Sequence, residues 1–444
     1  MSNQITGADL HAQDTSLLKD IEDALSNCMK CGNCMAVCPL YKEIGKESAV
    51  ARGKLALMEG VLKGQLPYSE EFEKIMLTCL SCKACATKCP CGVPADELII
   101  RGRRAAAKAR GLSPIKKNVF NLLKHRQLFD FALRMAGLFG PLSFKKLPRP
   151  MAAVARFPMP GMDARRITAP FAATPFRSQV PERITVANPK KKVGFFTGCT
   201  INYIYTDMGQ SVVNVLKAND VEIVIPSTQH CCGTPVYVYG QTERTQAFAK
   251  HNIEVFEDAI KKYNLDAVIA SCGSCAEALK IEYPHIFHDD PQMKARAEKL
   301  ANMTYEISEF LVDVLPFRKD ILGPVNETIT MHDPCHMARG LKITKQPREI
   351  LNAIPGLKFV EMSAPDRCCG SGGSFNLAHY GLARQVNDKK IADIASTKAD
   401  NVATSCPSCR MFLTDGLVQN NQPQNCYHVI QLLDRSYQAG AKKA

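Results

Sequence analysis

Residues 28–39 read CMKCGNCMAVCP and residues 79–90 read CLSCKACATKCP. Both keep the spacing C-x2-C-x2-C-x3-C-P. Zinc sites draw four ligands from two pairs separated by a longer loop, so four cysteines packed into such short runs point to iron-sulfur clusters instead. Three closely spaced thiolates wrap one cubane, while the fourth, turned away by the following proline, reaches its neighbour. That logic assigns Cys28, Cys31, Cys34 and Cys89 to one 4Fe-4S cluster, and Cys79, Cys82, Cys85 and Cys38 to a second. The crossing ties residues 28–91 into one unit. Between the runs, Ala51, Leu55, Met58 and Leu62 recur near the helical period. A helical cluster-binding domain over residues 1–112 is expected.

A second cysteine pattern follows. One set comprises Cys199, the pair Cys231-Cys232 before Gly233, and Cys272-x2-Cys275; the other comprises Cys335, the pair Cys368-Cys369 before Gly370, and Cys406-x2-Cys409. Cys199, Cys231 and Cys272 find counterparts in Cys335, Cys368 and Cys406 at offsets of 136, 137 and 134 residues, which signals internal duplication. Adjacent cysteines have Cα atoms about 3.8 Å apart, too close for an unstrained disulfide. Their side chains suit different irons of one cluster, and the glycine after each pair lets backbone N–H groups approach its sulfides. One or two further clusters are expected in these sets.

Strand-like and helical stretches alternate around those cysteines. Residues 192–197, 221–226 and 267–270 read as strands, with a helix over 242–263; residues 328–331, 357–361 and 401–404 repeat the strands, with a helix over 382–397. Residues 305–311 and 427–433 also correspond. Cys199, Cys272 and Cys406 then fall at the carboxyl edge of α/β sheets, where such folds bind ligands. The expected fold class is mixed, with an N-terminal α-helical two-cluster ferredoxin domain followed by a duplicated α/β Cys-Cys-Gly domain. The boundaries read as 1–112, a basic amphipathic and Pro-rich linker over 113–190, a first Cys-Cys-Gly domain over 191–325 and a second over 326–444.

With 444 residues, 46% hydrophobic content and 20 cysteines, the chain is globular and of several domains. The polar N-terminal residues lack a basic-then-apolar export signal, so a reducing cytoplasmic setting is expected, in which cysteines bind metal rather than form disulfides. The net charge of +13 is local in origin. Residues 101–192 carry 21 Lys and Arg against 3 Asp and Glu, which leaves the remainder acidic. Without an aromatic-basic or helix-turn-helix signal, this excludes nucleic acid as a partner. The amphipathic stretch 119–139, with Lys145 and Lys146 beyond it, suits packing on its own protein, docking on an acidic partner, or peripheral contact with the inner face of the cell membrane. No run of 18 apolar residues is present.

The five-cysteine sets resemble the Cys-Cys-Gly subunit of heterodisulfide reductase, whose two such domains hold noncubane 4Fe-4S clusters. The order of two ferredoxin motifs and two Cys-Cys-Gly domains resembles more specifically the iron-sulfur subunit of glycolate oxidase, D-lactate and anaerobic glycerol-3-phosphate dehydrogenases. Matching stretches are CGNCMAVCP, ARGKLALMEGVLKG, CKACATKCPCGVP, HDPCH at 332–336 and CCGSGG at 368–373. Cys91 departs from the family pattern and has no assigned role. The resemblance implies an electron-transfer subunit that accepts electrons from a partner flavoprotein, with its FAD, oxidising a 2-hydroxy acid such as D-lactate or glycolate. It passes them to a quinone or another carrier. A heterodisulfide reductase-like thiol chemistry and a glycerol-3-phosphate dehydrogenase role are the alternatives. Consistent with a carrier, the sequence has no G-x-G-x-x-G and no P-loop, and no residue is assigned as catalytic. His230, His332 and His336 flank cluster cysteines as tuning or structural groups, and Cys426 reads as a buried hydrophobe.

Overall fold

The computed structural model describes residues 14–159 and 162–442. Its chain divides into two compact units: residues up to Asn121 with Pro235–Thr245 and Gly372–Val386, and Leu122–Thr234 with Gln246–Ser371 and Asn387–Ala444. The division does not follow linear order. Each short segment that joins the first unit begins just after a Cys-Cys-Gly loop.

The first unit is helical. Ala51–Leu62, Glu70–Leu77 and Ala95–Arg110 are its longer helices, with the short turns Asn33–Val37 and Ala84–Thr87 inside the two cysteine runs. Ala51, Leu55 and Met58 face its core beside Phe72, Met76 and Leu98, as the periodicity predicts. Ser69 caps the 70–77 helix by accepting the Phe72 N–H at 3.1 Å, and three glutamates in its first turn complement the dipole.

In the second unit, the basic stretch is structured. The helix Arg126–Ser143 runs into a three-stranded antiparallel sheet of β1 (Phe144–Lys146), β2 (Ala153–Ala155) and β3 (Ile167–Thr168). The first α/β sheet has the order β4-β6-β5-β7-β8, from β4 (Arg183–Ile184), β5 (Lys191–Phe196), β6 (Val221–Val224), β7 (Ala267–Ala270) and β8 (Thr304–Glu306). All neighbours are parallel except β4, which pairs antiparallel with β6 at the edge. The second sheet, fully parallel, has the order β10-β9-β11-β12, from β9 (Thr328–His332), β10 (Lys358–Phe359), β11 (Asn401–Thr404) and β12 (Asn425–His428). Its four strands repeat the parallel β6-β5-β7-β8 of the first, and β4 has no counterpart.

The expected strands and the helices Thr242–Tyr263 and Tyr380–Ser396 are present, and the fold class is the mixed helical and duplicated α/β one read from the sequence. The 357–361 strand is shorter than expected, because β10 pairs only with β9 and follows a turn at Gly356. Four-residue β7 and β11 are buried throughout or nearly so, the pattern of parallel strands covered on both faces. One apolar core serves both sheets, joining Phe195, Val212 and Ile269 to Ile329, Ala403 and Leu432.

Duplication extends to helix starts. Glu306 accepts the Ser308 N–H at 2.7 Å and Glu309 accepts the Glu306 N–H, while His428 accepts the Ile430 N–H at 3.2 Å and Gln431 accepts the His428 N–H. The two boxes hold opposite chemistry. Burial pushes the Glu306 carboxyl up to about 8 and the His428 imidazole down to about 3. A carboxyl whose folded pKa exceeds its unfolded value favours the fold below about 4.5, and that contribution is lost as pH rises towards 8. Glu306→Gln keeps the capping acceptor without the titration. Its melting temperature should overtake that of the native chain as pH is raised from 5 to 8, by several degrees at the upper end; parallel melting curves would discount the buried carboxyl.

Candidate iron-sulfur centres

None of the twenty cysteines forms a disulfide among the described residues. In the first unit, the chain brings the ends of the two ferredoxin runs across one another. Cys28, Cys31 and Cys34 share a small cavity with Cys89, which Cys85 and Cys91 also line, whereas Cys38 lies in the electrostatic field of Cys79 and Cys82. Local backbone explains the wrapping. Lys30, Gly32, Ser81 and Lys83 all take positive φ, curling the chain around each set, and the Ser81 N–H points to Cys79 Sγ at 3.4 Å. Cys91 is exposed at the rim of the cavity that holds Cys89.

Two buried cations attend these thiols, and sequence reasoning missed both. Lys54 is fully buried and donates to the Ser48 carbonyl at 2.9 Å and to the Ile75 carbonyl. Burial lowers its pKa to about 8, and the Cys79 thiol opposes that shift. Arg103 donates to the carbonyls of Met76 and Cys79, both at 2.8 Å, and to Ser81 Oγ at 3.3 Å. Among its described partners there is no carboxylate. A buried cation bonded to neutral groups beside cysteines is suited to an anionic cluster, which carries about −2 with its thiolates. The available signal was Lys54 interrupting the apolar face of its helix.

In the second unit, the ligand-type cysteines sit where parallel strands end. Cys199 and Cys335 follow the central strands β5 and β9 and open helical turns; Cys272 and Cys406 follow β7 and β11 and cap the helices Gly273–Glu277 and Pro407–Gln419. Gly233 and Gly370 take φ of +90° and +85°, and their N–H groups point to Cys231 Sγ at 3.5 Å and Cys368 Sγ at 3.4 Å. A side chain at these glycines would be strained. The same turn is therefore built twice.

Each turn is held by an asparagine that sequence reasoning did not single out. Asn252 donates to the Cys231 carbonyl at 2.9 Å and Asn387 to the Cys369 carbonyl at 2.7 Å. Their spacing of 135 residues matches the cysteine offsets, so the duplication could have revealed them. His230 Nδ1 accepts the Cys231 N–H at 2.7 Å, and burial lowers its pKa to about 4, which keeps the ring neutral as an acceptor.

The two cysteine sets meet. Cys231 Sγ lies 4.0 Å from Cys199 Sγ, and Cys369 Sγ lies 3.3 Å from Cys409 Sγ. The Cys232 thiol neighbours those of Cys231 and Cys275 closely enough to shift its titration, as Cys272 neighbours Cys275 and Cys406, and Cys409 neighbours Cys406 and Cys369. Eight thiols thus form a continuous line through both domains, and Cys368 extends it beside Cys369. The crossing is braced by the Gly273 N–H to the Ser405 carbonyl at 3.3 Å and by His336 Nδ1 against the Glu277 carboxylate. Cys426 is buried on β12.

One difference separates the copies. His332 is 1% exposed, and its ring lies with Cys369 and Cys409, all ligand atoms within 4.8 Å of one another. The ring makes no well-formed hydrogen bond, only a loose approach to the Pro365 carbonyl. At the corresponding position the first copy has buried Phe196. A buried imidazole left without a firm partner beside thiols fits a sulfur acceptor at this place.

Two family models match the chain. The cysteine-rich domain family matches residues 193–280 and again 329–414, and the 4Fe-4S dicluster domain family matches residues 24–93. The dicluster match supports two cubane clusters. A probable glycolate oxidase iron-sulfur subunit of Bacillus subtilis is 29% identical over 406 residues, covering 89% of this chain and 90% of its own. A fumarate reductase (CoM/CoB) subunit of Methanothermobacter marburgensis is 29% identical, covering 94% and 74%. A hypothetical protein from Helicobacter pylori, of known crystal structure, shares the fold at a TM-score of 0.51 and 11% identity, over 97% of this chain and 79% of its own. Lactate utilization protein A of Bacillus cytotoxicus is 34% identical over 243 residues, 55% of this chain and 98% of that protein. The chain is an iron-sulfur redox protein and belongs to the family of cysteine-rich-domain proteins that includes lactate utilization protein A.

Proposed function

We propose that this chain is the electron-transfer subunit of a flavin-dependent 2-hydroxyacid dehydrogenase complex, taking electrons from a D-lactate- or glycolate-oxidising flavoprotein and delivering them to a quinone or other carrier. The observation that carries the reading is the unbroken line of thiols through both Cys-Cys-Gly domains, in a chain that also holds two ferredoxin runs. Bound clusters supply one-electron carriers. In this reading Cys28, Cys31, Cys34 and Cys89 hold one cubane, and Cys79, Cys82, Cys85 and Cys38 the other. Cys199, Cys231, Cys232, Cys272 and Cys275, with Cys335, Cys368, Cys369, Cys406 and Cys409, hold up to two more clusters of noncubane form. The contact of Cys272 with Cys406 favours electron passage between the two sets.

The helix Arg126–Ser143 supports attachment to an anionic membrane surface. Its inner face is packed, with Phe129 against Tyr203 at a centroid distance of 5.6 Å and Gly137 against the Ala172 backbone. The other face is also apolar, yet Leu128, Phe131, Leu138, Phe139 and Leu142 are 54 to 70% exposed. A surface helix ordinarily turns charged residues outward. Residues 114–157 carry nine Lys and Arg against the single acid Asp130, a charge that complements anionic headgroups. No helix among the described residues is long and apolar enough to cross a membrane.

Anaerobic protein prepared with its partners should contain about sixteen irons per chain, counting four per cluster for four clusters. D-lactate or glycolate should bleach its clusters only when the flavoprotein is present; bleaching by glycerol-3-phosphate alone would move the reading to the other dehydrogenase, and direct reaction with a disulfide would favour thiol chemistry. His332→Phe should lower the reduction potential of one Cys-Cys-Gly signal in an EPR titration and leave the other unchanged, because an N–H donor to a cluster sulfur raises its potential. The full chain should float with phosphatidylglycerol-containing vesicles and not with phosphatidylcholine alone. Phe131→Ser with Leu138→Ser should abolish flotation, whereas a change of dimer to monomer on that substitution would assign the face to a second copy instead.

A further inference from the structure

A cavity of about 310 Å³ opens within the first unit, and of the two ferredoxin ligand sets only Cys79 lines it. Its walls come from five separate stretches of the chain, with Arg103 and Lys116 beside three that adjoin cluster motifs. Cys79 and Leu77 supply one, at the start of the second ferredoxin run. Tyr239 supplies another, a short step beyond Cys232, and Phe375 a third, a short step beyond Cys369. The cavity is thus bounded by the sequence that enters one cluster motif and the sequences that leave two others.

Its size and walls restrict what can bind. Pockets for small ligands run from about 300 to 1,000 Å³, so this one admits a head group of one or two rings and not a dinucleotide. Two aromatic side chains line it and both are fixed. Tyr239 packs against Phe120 at 5.6 Å with Lys116 Nζ 5.6 Å over its ring, and the Phe375 ring lies 4.9 Å from that of His379. Flat rings held in place favour a flat guest.

The polar lining is basic. Lys74 has no ion pair among the described residues, His379 stands across from it, and buried Arg103 lies at the Cys79 wall. Two acids, Glu70 and Glu73, stand against Lys74, Arg103 and Lys116 in the lining, and Glu73 is engaged by Arg110 at 3.3 Å and Lys116 at 3.4 Å. Burial, then the charges of Lys74 and Lys116, hold the His379 imidazole below its usual pKa, so it stands neutral as a donor. Such a lining suits a guest whose oxygens gain negative charge on reduction.

We propose that this cavity is the binding site for the ring of a quinone, placed beside the Cys79 end of the second ferredoxin motif. The proposal rests on the electron-relay reading and adds the place and the residues at which the relay ends. Oxidation of a 2-hydroxy acid to the 2-oxo acid in the flavoprotein releases two electrons and two protons; reduction of the quinone to the quinol consumes two of each. The electrons reach the ring through the chain's cluster sites, and the two protons come from solvent at the mouth, where Lys74 and Ala378 are exposed.

The test is equilibrium binding of 2-heptyl-4-hydroxyquinoline N-oxide, a fluorescent quinone analogue that does not add to thiols, to the anaerobic full-length protein. Saturable quenching at one site per chain is expected. Tyr239→Ala and Phe375→Ala should each weaken binding by about tenfold. Lys74→Glu, an exposed change at the mouth that leaves the core untouched, should weaken it as well, whereas Lys299→Glu on a different helix should not. No saturable binding, or binding indifferent to Tyr239→Ala and Lys74→Glu alike, would overturn the proposal. The relay reading fails separately: cluster bleaching by a hydroxy acid without analogue binding removes the cavity and keeps the relay, and analogue binding at Tyr239 without bleaching keeps the site and removes the proposed electron source.

Discussion

Thiolates repel one another and lose hydration when buried, yet this chain gathers a line of them through its second unit. That constraint governs the architecture. Such a gathering persists only where the backbone is over-determined, and here it is fixed at the carboxyl ends of parallel strands. The central strands deliver the first cysteine of each set, the adjacent strands the last two, and a positive-φ glycine shapes the loop between. Asn252 and Asn387 bind that loop to a long helix in each copy. Removing any of these supports would cost more than a hydrogen bond, because buried sulfur ligands would lose their common origin.

Duplication gives the two sets one geometry, and local substitution gives them different environments. Phe196 in one copy and His332 in the other stand at matching strand ends, the first closing an apolar wall and the second placing an imidazole beside Cys369 and Cys409. Glu306 and His428 cap matching helices with opposite titration behaviour. Two identical carriers in series would have equal potentials; differing burial and hydrogen bonding allow electron flow a direction. The ferredoxin unit uses another device, the buried cations Lys54 and Arg103, which offset anionic charge in a region of low dielectric.

Connectivity links the two kinds of cluster motif. Pro235–Thr245 and Gly372–Val386 leave the two Cys-Cys-Gly loops and are counted with the helical unit that holds the ferredoxin runs. A domain division drawn along the sequence gives no reason for this, because both segments are short and carry no cysteine. Their Tyr239 and Phe375 line the cavity beside Cys79.

Cysteine spacing and the near-constant offset were enough, with no coordinates, to read the helical and duplicated α/β classes, most strands and the shared glycine turns. The reason is local: a C-x2-C-x2-C-x3-C-P run or a Cys-Cys-Gly loop encodes its own wrapping within a few residues, and apolar periodicity encodes the elements between. What tertiary structure alone decided is everything that depends on distant residues coming together. The meeting of Cys272 with Cys406, the placing of His332 beside Cys369 and Cys409, the burial of Arg103 and the bare outer face of the 126–143 helix have no local signature. Each depends on what packs against a side chain, and a helix with two apolar faces looks the same in sequence whether one face or both are covered.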